Sequence, residues 1–410
     1  MTYEPKGDKK NSDFFNEYRI KIFERRRSSG LEDLVGNMRA PVIQVDHGDG
    51  VDTMAELYVM TPYRFTASYL GDTHRFFVMH NRPEYPALII MEPLSPAFVD
   101  FISRFNRMYP LAKNKPQSRY VGELFAAKDL DQTRTVLESH NIRFEYPGDT
   151  ENPFYTADGF LFSVPSDYTY NRVGYTTKDL NDPDSLGLGA RVELTADEKV
   201  RLDAAVAFGE QEGTTPLMLG YDHMATRILA ADREDAILEF LTMVPYYFWG
   251  AYNIADMNSS TNVNRNNTVN DDKISPAKVF TANNTPSFVN SFEGLPMPTE
   301  TFVRNFGRRM HHMAVEVQDG DHGAGEKNVD FVVNALKTKG IPFLAHIVGE
   351  CKDDPNLKQI FSKHSAYTLL ITEYIERCHH FDGFFTKDNV AALTAAAGQD
   401  EQFHHGQVFD

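Results

Sequence analysis

His223 and His312 stand in near-identical settings. The stretch from Asp222 reads DHMATRI and the stretch from His311 reads HHMAVEV, so His-Met-Ala recurs 89 residues apart, at 223 and 312. A neutral imidazole is the commonest protein ligand for a metal. Both stretches have strand character, and residues two apart on a strand share a face. His223 then shares a face with Ala225, and His312 with Ala314. Such small neighbours leave room above a sheet. Two imidazoles still lack an anionic partner. Glu373 offers one: it interrupts the apolar row TLLITEYIER, on the face of Leu369, Ile371 and Ile375. A carboxylate in such a row must be paired, protonated or metal-bound, because burying a lone charge is prohibitive. Two His and one carboxylate on one side of a metal, with open positions opposite, make the facial triad of non-haem Fe(II) oxygenases. His311 competes with His312. Successive strand residues point to opposite faces, and register with His223 selects His312.

The elements that must position these residues repeat. Each His-bearing strand is followed by a polar turn and an amphipathic helix, over 233–243 and 327–339. Further strands are expected at 246–252 and 342–348. The C-terminal half therefore reads as two βαβββ copies around a pseudo-twofold axis. Residues 120–146 repeat the strand–helix–strand order without a histidine. Residues 54–106 would supply a fourth unit, with strands at 55–60, 75–80 and 87–92 and a helix over 95–106. The expected fold is α+β, with βαβββ units pairing into two domains. The expected divisions are an arm over 1–51, a non-metal domain over 52–178 and a linker over 179–216. A metal-binding domain over 217–397 and a tail over 398–410 follow.

Composition excludes other classes. The chain has 410 residues, 41% of them hydrophobic and 12% aromatic, which is a globular and not a disordered composition. No apolar run approaches membrane-spanning length, and the N-terminal stretch MTYEPKGDKKNSDFF lacks the apolar core of a secretory signal. A net charge of −17 makes a nucleic-acid partner unexpected, since phosphate backbones need clustered Lys and Arg. Two cysteines, Cys351 and Cys378, cannot build a disulfide framework or a four-cysteine zinc site, so a cytoplasmic, reducing setting is expected.

Repeated βαβββ units with a His on the first strand of each copy resemble the vicinal-oxygen-chelate superfamily. Within it, 217–397 resembles 4-hydroxyphenylpyruvate dioxygenase. The family's Asp-His strand is matched by Tyr221-Asp222-His223. Its second His strand is matched by His311-His312-Met313-Ala314. Its closing segments are matched by Gln359-Ile360-Phe361-Ser362-Lys363 and Glu373-Tyr374-Ile375-Glu376-Arg377, then Asp382-Gly383-Phe384-Phe385 before a C-terminal helix. The resemblance implies that His223, His312 and Glu373 hold Fe(II), with another divalent metal as the alternative. It makes Gln359 a substrate-pocket amide, with Phe361 and Phe384 as aromatic walls. It implies a small-molecule substrate, a chelating aromatic 2-oxo acid, with O2 as co-substrate. No nucleic acid or membrane partner is implied, and self-association is left open.

The sequence departs from the family at the pocket. His311 stands where the family has Gln, and Val390 where the terminal helix carries Phe. The interval from His312 to Glu373 is short, and Ser260 and Asn284 are only the nearest matches to the pocket Ser and Asn. Hydroxyphenylpyruvate itself is therefore expected to be a poor substrate. An extradiol ring-cleaving dioxygenase would use the same triad, but the Pro-x-Gly element expected before the Glu is absent. A glyoxalase-type metalloenzyme would need a fourth ligand, and the position 89 before Glu373 is Asn284. A non-catalytic binding protein of the same fold is the alternative from another class.

Overall fold

Four βαβββ units follow one another along the chain. The computed structural model describes residues 6–7, 9–145, 154, 158–266, 274–286, 296–323, 325–344, 346–351 and 355–398. The first unit is strand Val35–Gln44, helix Gly50–Met60 and strands Arg64–Leu70, His74–His80 and Leu88–Pro93. The second is Arg119–Ala127, helix Leu130–Glu138, Phe160–Phe162 and Arg172–Thr176. Between that helix and Phe160, the described residues hold a single bridge, Phe144 to Ser163, in place of a further strand. The third is Met218–Arg227, helix Arg233–Met243, Tyr246–Ile254, Ser259–Asn266 and Ala277–Asn283. The fourth is Arg309–Val317, helix Asn328–Thr338, Asn356–Phe361 and Ile371–Cys378.

The units pair into two eight-stranded sheets of one design. In the C-terminal sheet, Met218–Arg227 and Arg309–Val317 run antiparallel at the centre, and each is flanked by the parallel last strand of its own unit. In the N-terminal sheet, Val35–Gln44 and Arg119–Ala127 take the central places, flanked by Leu88–Pro93 and Arg172–Thr176. One continuous apolar cluster fills the space between the sheets and their helices, from Met38, Phe77 and Tyr120 to Met224, Met313 and Tyr374. The Tyr374 hydroxyl donates across it to the Met60 carbonyl at 2.8 Å. A buried Lys278–Glu123 ion pair also joins the halves.

Several expectations give way here. The arm expected over 1–51 contains the central strand of the N-terminal sheet, so the first unit begins at Val35 and not near 54. The strand expected at 55–60 is the end of helix Gly50–Met60. Val51, Met54 and Tyr58 are among its buried positions, at helical spacing. The helix expected over 95–106 starts only at Phe101, where the Asp100 carboxylate accepts the Ser103 backbone N–H at 2.7 Å. The strand expected at 342–348 is reduced to two isolated bridges, at Phe343 and Val348. The linker expected over 179–216 holds helix Ala196–Glu212, opened by a Thr195–Glu198 capping box. The tail over 399–410 and residue 146 lie outside the described residues.

Cys351 and Cys378 form a disulfide spanning 27 residues. Such bonds persist in oxidising compartments, so this pairing lends no support to a reducing cytosol. Among the described residues no helix is long and apolar enough to cross a membrane.

Candidate metal centre

The sheet brings His223, His312 and Glu373 together. His223 lies opposite Ala314, and His312 lies opposite Ala225. The row continues from Ala314 to Glu373 and then to Phe361. Ala314 has no bulk, so His223 and Glu373 lean towards each other above it. His223 Nε2 and His312 Nε2 each lie 3.1 Å from Glu373 Oε2, and the two nitrogens are 3.3 Å apart. Ligand atoms about 2.1 Å from one ion, at right angles, sit about 3.0 Å apart. The three atoms therefore have the spacing of one face of an octahedron. The second Glu373 oxygen, Oε1, is buried with no hydrogen-bond partner among the described residues.

Each histidine is oriented from behind. Asp222 Oδ1 lies 2.6 Å from His223 Nδ1. It accepts the Nδ1 hydrogen, which points Nε2 at Glu373, so that loss of the Nε2 proton would free a lone pair for a metal. Arg377 holds the same carboxylate by a fork, Nε to Oδ2 at 2.9 Å and Nη2 to Oδ1 at 2.8 Å. Asp222 can face its own neighbour because the pairing with Arg309–Val317 slips between Tyr221 and His223. A second slip lies between Ala225 and Thr226, where their partners step from His312 to Met310. His311 is the extra residue. Such a bulge turns two successive side chains to one side, which corrects the expectation that His311 points away. Its Nδ1 lies 2.7 Å from His312 Nδ1, so one hydrogen is shared between them.

Burial sets the charges. On its own it would raise Glu373, but the two imidazoles outweigh it and lower this carboxyl to about 2. Burial would lower His223, yet the Glu373 and Asp222 carboxylates raise it to about 9. His312 is lowered, chiefly by burial. Without a metal the triad thus carries one proton, on His223, between an ionised Glu373 and a neutral His312.

Two of the three, His312 and Glu373, line a small cavity of about 50 Å³, together with Gln359, Phe361, Phe385 and Arg227 among others, while His223 stands behind them. Helix Lys387–Gly398 closes it with Val390 and Leu393.

No family model matches the sequence, and no curated protein matches it significantly. Solved structures do resemble it. A triple mutant of 4-hydroxymandelate synthase from Streptomyces coelicolor matches with a TM-score of 0.58 at 13% identity, over 90% of this chain and 99% of that one. A xylose isomerase-like TIM barrel/4-hydroxyphenylpyruvate dioxygenase fusion protein matches with a TM-score of 0.56 at 12% identity. That match covers 89% of this chain but only 53% of the fusion, so this chain spans about half of it. This chain has the vicinal-oxygen-chelate fold.

Within the vicinal-oxygen-chelate fold the two central strands are equivalent, so register locates the counterpart of Glu373. Glu373 pairs with Ala314 of His-Met-Ala, and Val279 pairs with Ala225 of the other copy. The counterpart is therefore Val279, not Asn284. Val279 lines the cavity and cannot ligate a metal. The position where a glyoxalase-type fourth ligand would stand is apolar.

The other expected residues divide. Gln359 and Phe361 both line the cavity. The Gln359 amide is buried, and neither its Nε2 nor its Oε1 has a hydrogen-bond partner. Phe384 does not line the cavity; Phe385 does. The cause is local. Phe384 has φ of 64°, and the two rings stand at 88° to each other. Phe384 packs on His223 and over the Arg377 guanidinium. Ser259 and Thr261 line the cavity, whereas Ser260 points to the other face and receives Asn262 at 3.0 Å. Asn284 donates to the Ser259 carbonyl at 3.2 Å and does not reach the cavity. Sequence reasoning missed Asp222 as an orienting group, and it missed Arg227. The signal for Arg227 was parity: 223, 225 and 227 alternate along one strand.

The N-terminal sheet has no such site among the described residues. Ala40, Val42, Val121 and Leu124 of its two central strands belong instead to an apolar cluster with Phe76, Phe154 and Phe162. The other cluster of potential ligands, Asp319, Glu376 and Cys378, includes a cysteine engaged in the disulfide.

Proposed function

We propose that this chain is a non-haem Fe(II) dioxygenase acting on an aromatic 2-oxo acid or a related chelating substrate. The observation that carries the reading is the triangle of His223 Nε2, His312 Nε2 and Glu373 Oε2 with 3.1–3.3 Å edges. Two neutral nitrogens and one carboxylate oxygen fit Fe(II). The orphaned Glu373 oxygen and the apolar Val279 leave the opposite side free of protein ligands. Iron bound there would supply the redox chemistry and a face on which a 2-oxo acid chelates beside O2. The likeness to the synthase and to the dioxygenase fusion supports the same class.

The chain's own residues do the rest. Asp222 keeps the His223 hydrogen on Nδ1, so that Nε2 can ligate. His311 does the corresponding work for His312. The Gln359 amide offers a donor nitrogen and an acceptor oxygen with no competing partner, suited to a carboxylate or a polar ring substituent. Phe361, Phe385 and Val279 exclude water from the reacting face. A cavity of about 50 Å³ holds only a few waters, so helix Lys387–Gly398 must move outward to admit an aromatic ring.

Metal analysis of protein purified without oxygen tests the proposal. About one iron per chain and O2 uptake dependent on an arylpyruvate are the expected results. Absence of metal binding at micromolar Fe(II) overturns it and favours a binding protein of the same fold. Brisk homogentisate formation from hydroxyphenylpyruvate would show that the pocket departures matter little.

A further inference from the structure

Arg227 is a buried cation at the cavity without an anion. The residue is 6% exposed and lines the same cavity as His312 and Glu373. Its contacts are a long hydrogen bond to the Pro298 carbonyl, 3.5 Å from Nη1, and the face of Phe302 at 5.0 Å. Among the described residues no carboxylate pairs with it. Glu373, the cavity's carboxylate, is held by two histidines instead. Nearby stand His311 and His364, both kept neutral chiefly by burial and also by the Arg227 charge. Burial draws the guanidinium itself down to about 9, with no offsetting neighbour.

An uncompensated buried charge is costly. A fold keeps one where a ligand completes the pair, and a planar guanidinium suits a carboxylate. The position is favourable. Arg227 is two residues beyond Ala225, whose cross-strand partner is His312, and two strand residues span about 7 Å. That is the reach of a short organic acid.

We infer that Arg227 receives a second carboxylate of the substrate, at the end of the cavity away from the chelating triad. The substrate is then a 2-oxo acid with an anionic far end. The inference rests on the chelation proposed above.

The test uses the full chain loaded with Fe(II) under anaerobic conditions. It is titrated with 2-oxoglutarate and with 2-oxopentanoate, which has the same chain length but lacks the second carboxylate. Binding is followed by the visible absorption of the Fe(II)–2-oxo acid chelate. The diacid should bind at least tenfold tighter. Arg227→Met should erase the difference by weakening the diacid alone, and Arg227→Lys should restore part of it. Equal binding of both acids to the unaltered protein overturns the Arg227 assignment and leaves chelation standing. Binding of neither acid overturns this inference, and failure of phenylpyruvate to give a chelate band as well overturns the chelation on which it rests. Thermal unfolding of the metal-free protein separates a binding role from a structural one. Arg227→Met should melt at or above the unaltered protein, because an unpaired charge has been removed. A clearly lower melting temperature would mark Arg227 as structural and overturn the inference.

Discussion

His223 and His312 face each other through their Nε2 atoms at 3.3 Å, although 89 residues separate them in the chain. In the metal-free protein this closeness is tolerated because one ring is protonated and the other neutral, with Glu373 beside both. Metal must displace the His223 proton. Metal affinity should therefore rise with pH, by about tenfold per unit below the His223 value of about 9. Calorimetric titration in two buffers of different ionisation enthalpy should show about one proton released per ion at neutral pH. No proton release would contradict this assignment of charges.

The same groups set the pH dependence of metal-free stability. His223 is raised from 6.5 to about 9, so its contribution is full below about 6.5 and is lost as pH rises through 9. Glu373 is lowered from 4.5 to about 2, so its contribution is present above about 4.5 and is lost as pH falls through 2. Metal-free protein should thus lose melting temperature between pH 7 and pH 9. Replacing His223 by Gln should flatten that loss.

Asp222 is shared between His223 Nδ1 and the Arg377 fork. Asp222→Asn should weaken metal binding by roughly 10–100-fold without removing a ligand, as loss of such orienting partners does. Asp222→Ala should also destabilise the fold by about 1–3 kcal/mol, because the partly buried Arg377 loses the carboxylate that its fork holds. Denaturant melts and metal titration of both variants separate the two effects.

The Gln359 amide is buried with no partner of its own. Gln359→Leu should leave the melting temperature unchanged or higher, since an unsatisfied polar group is removed. The same change should weaken a 2-oxo acid about tenfold, the worth of one or two hydrogen bonds. Unchanged ligand affinity would take Gln359 out of the site.

Val279 occupies the register position that Glu373 holds in the other copy. Val279→Glu should keep or strengthen metal binding while abolishing chelate absorption with a 2-oxo acid. A retained chelate band would show that this position does not face the open side of the metal.

The local pattern of residues picked out the three side chains that converge, His223, His312 and Glu373. His-Met-Ala occurs twice, and Glu373 sits in an apolar strand, so strand parity alone placed the two histidines beside small neighbours and the carboxylate in an apolar row. Repetition likewise revealed the βαβββ unit, because each unit must bury one face of its strand and helix. Helix Gly50–Met60 was hidden because a window opened at 54 cut its periodic positions in half. Strand Val35–Gln44 was hidden because its partners lie far along the chain, at Leu88–Pro93 and Arg119–Ala127. Tertiary structure alone decided which side chains turn into the cavity. Strict alternation sends His311 away from His312 and Asp222 away from His223, but one extra residue in a strand pair turns each towards its neighbour. The same holds for Phe385 over Phe384, where one left-handed residue swaps the rings. Sequence spacing also misplaced the Glu373 counterpart at Asn284. Insertions between strands change sequence offsets without changing the hydrogen-bonded register, and register is what brings Val279 to the open side of the triad.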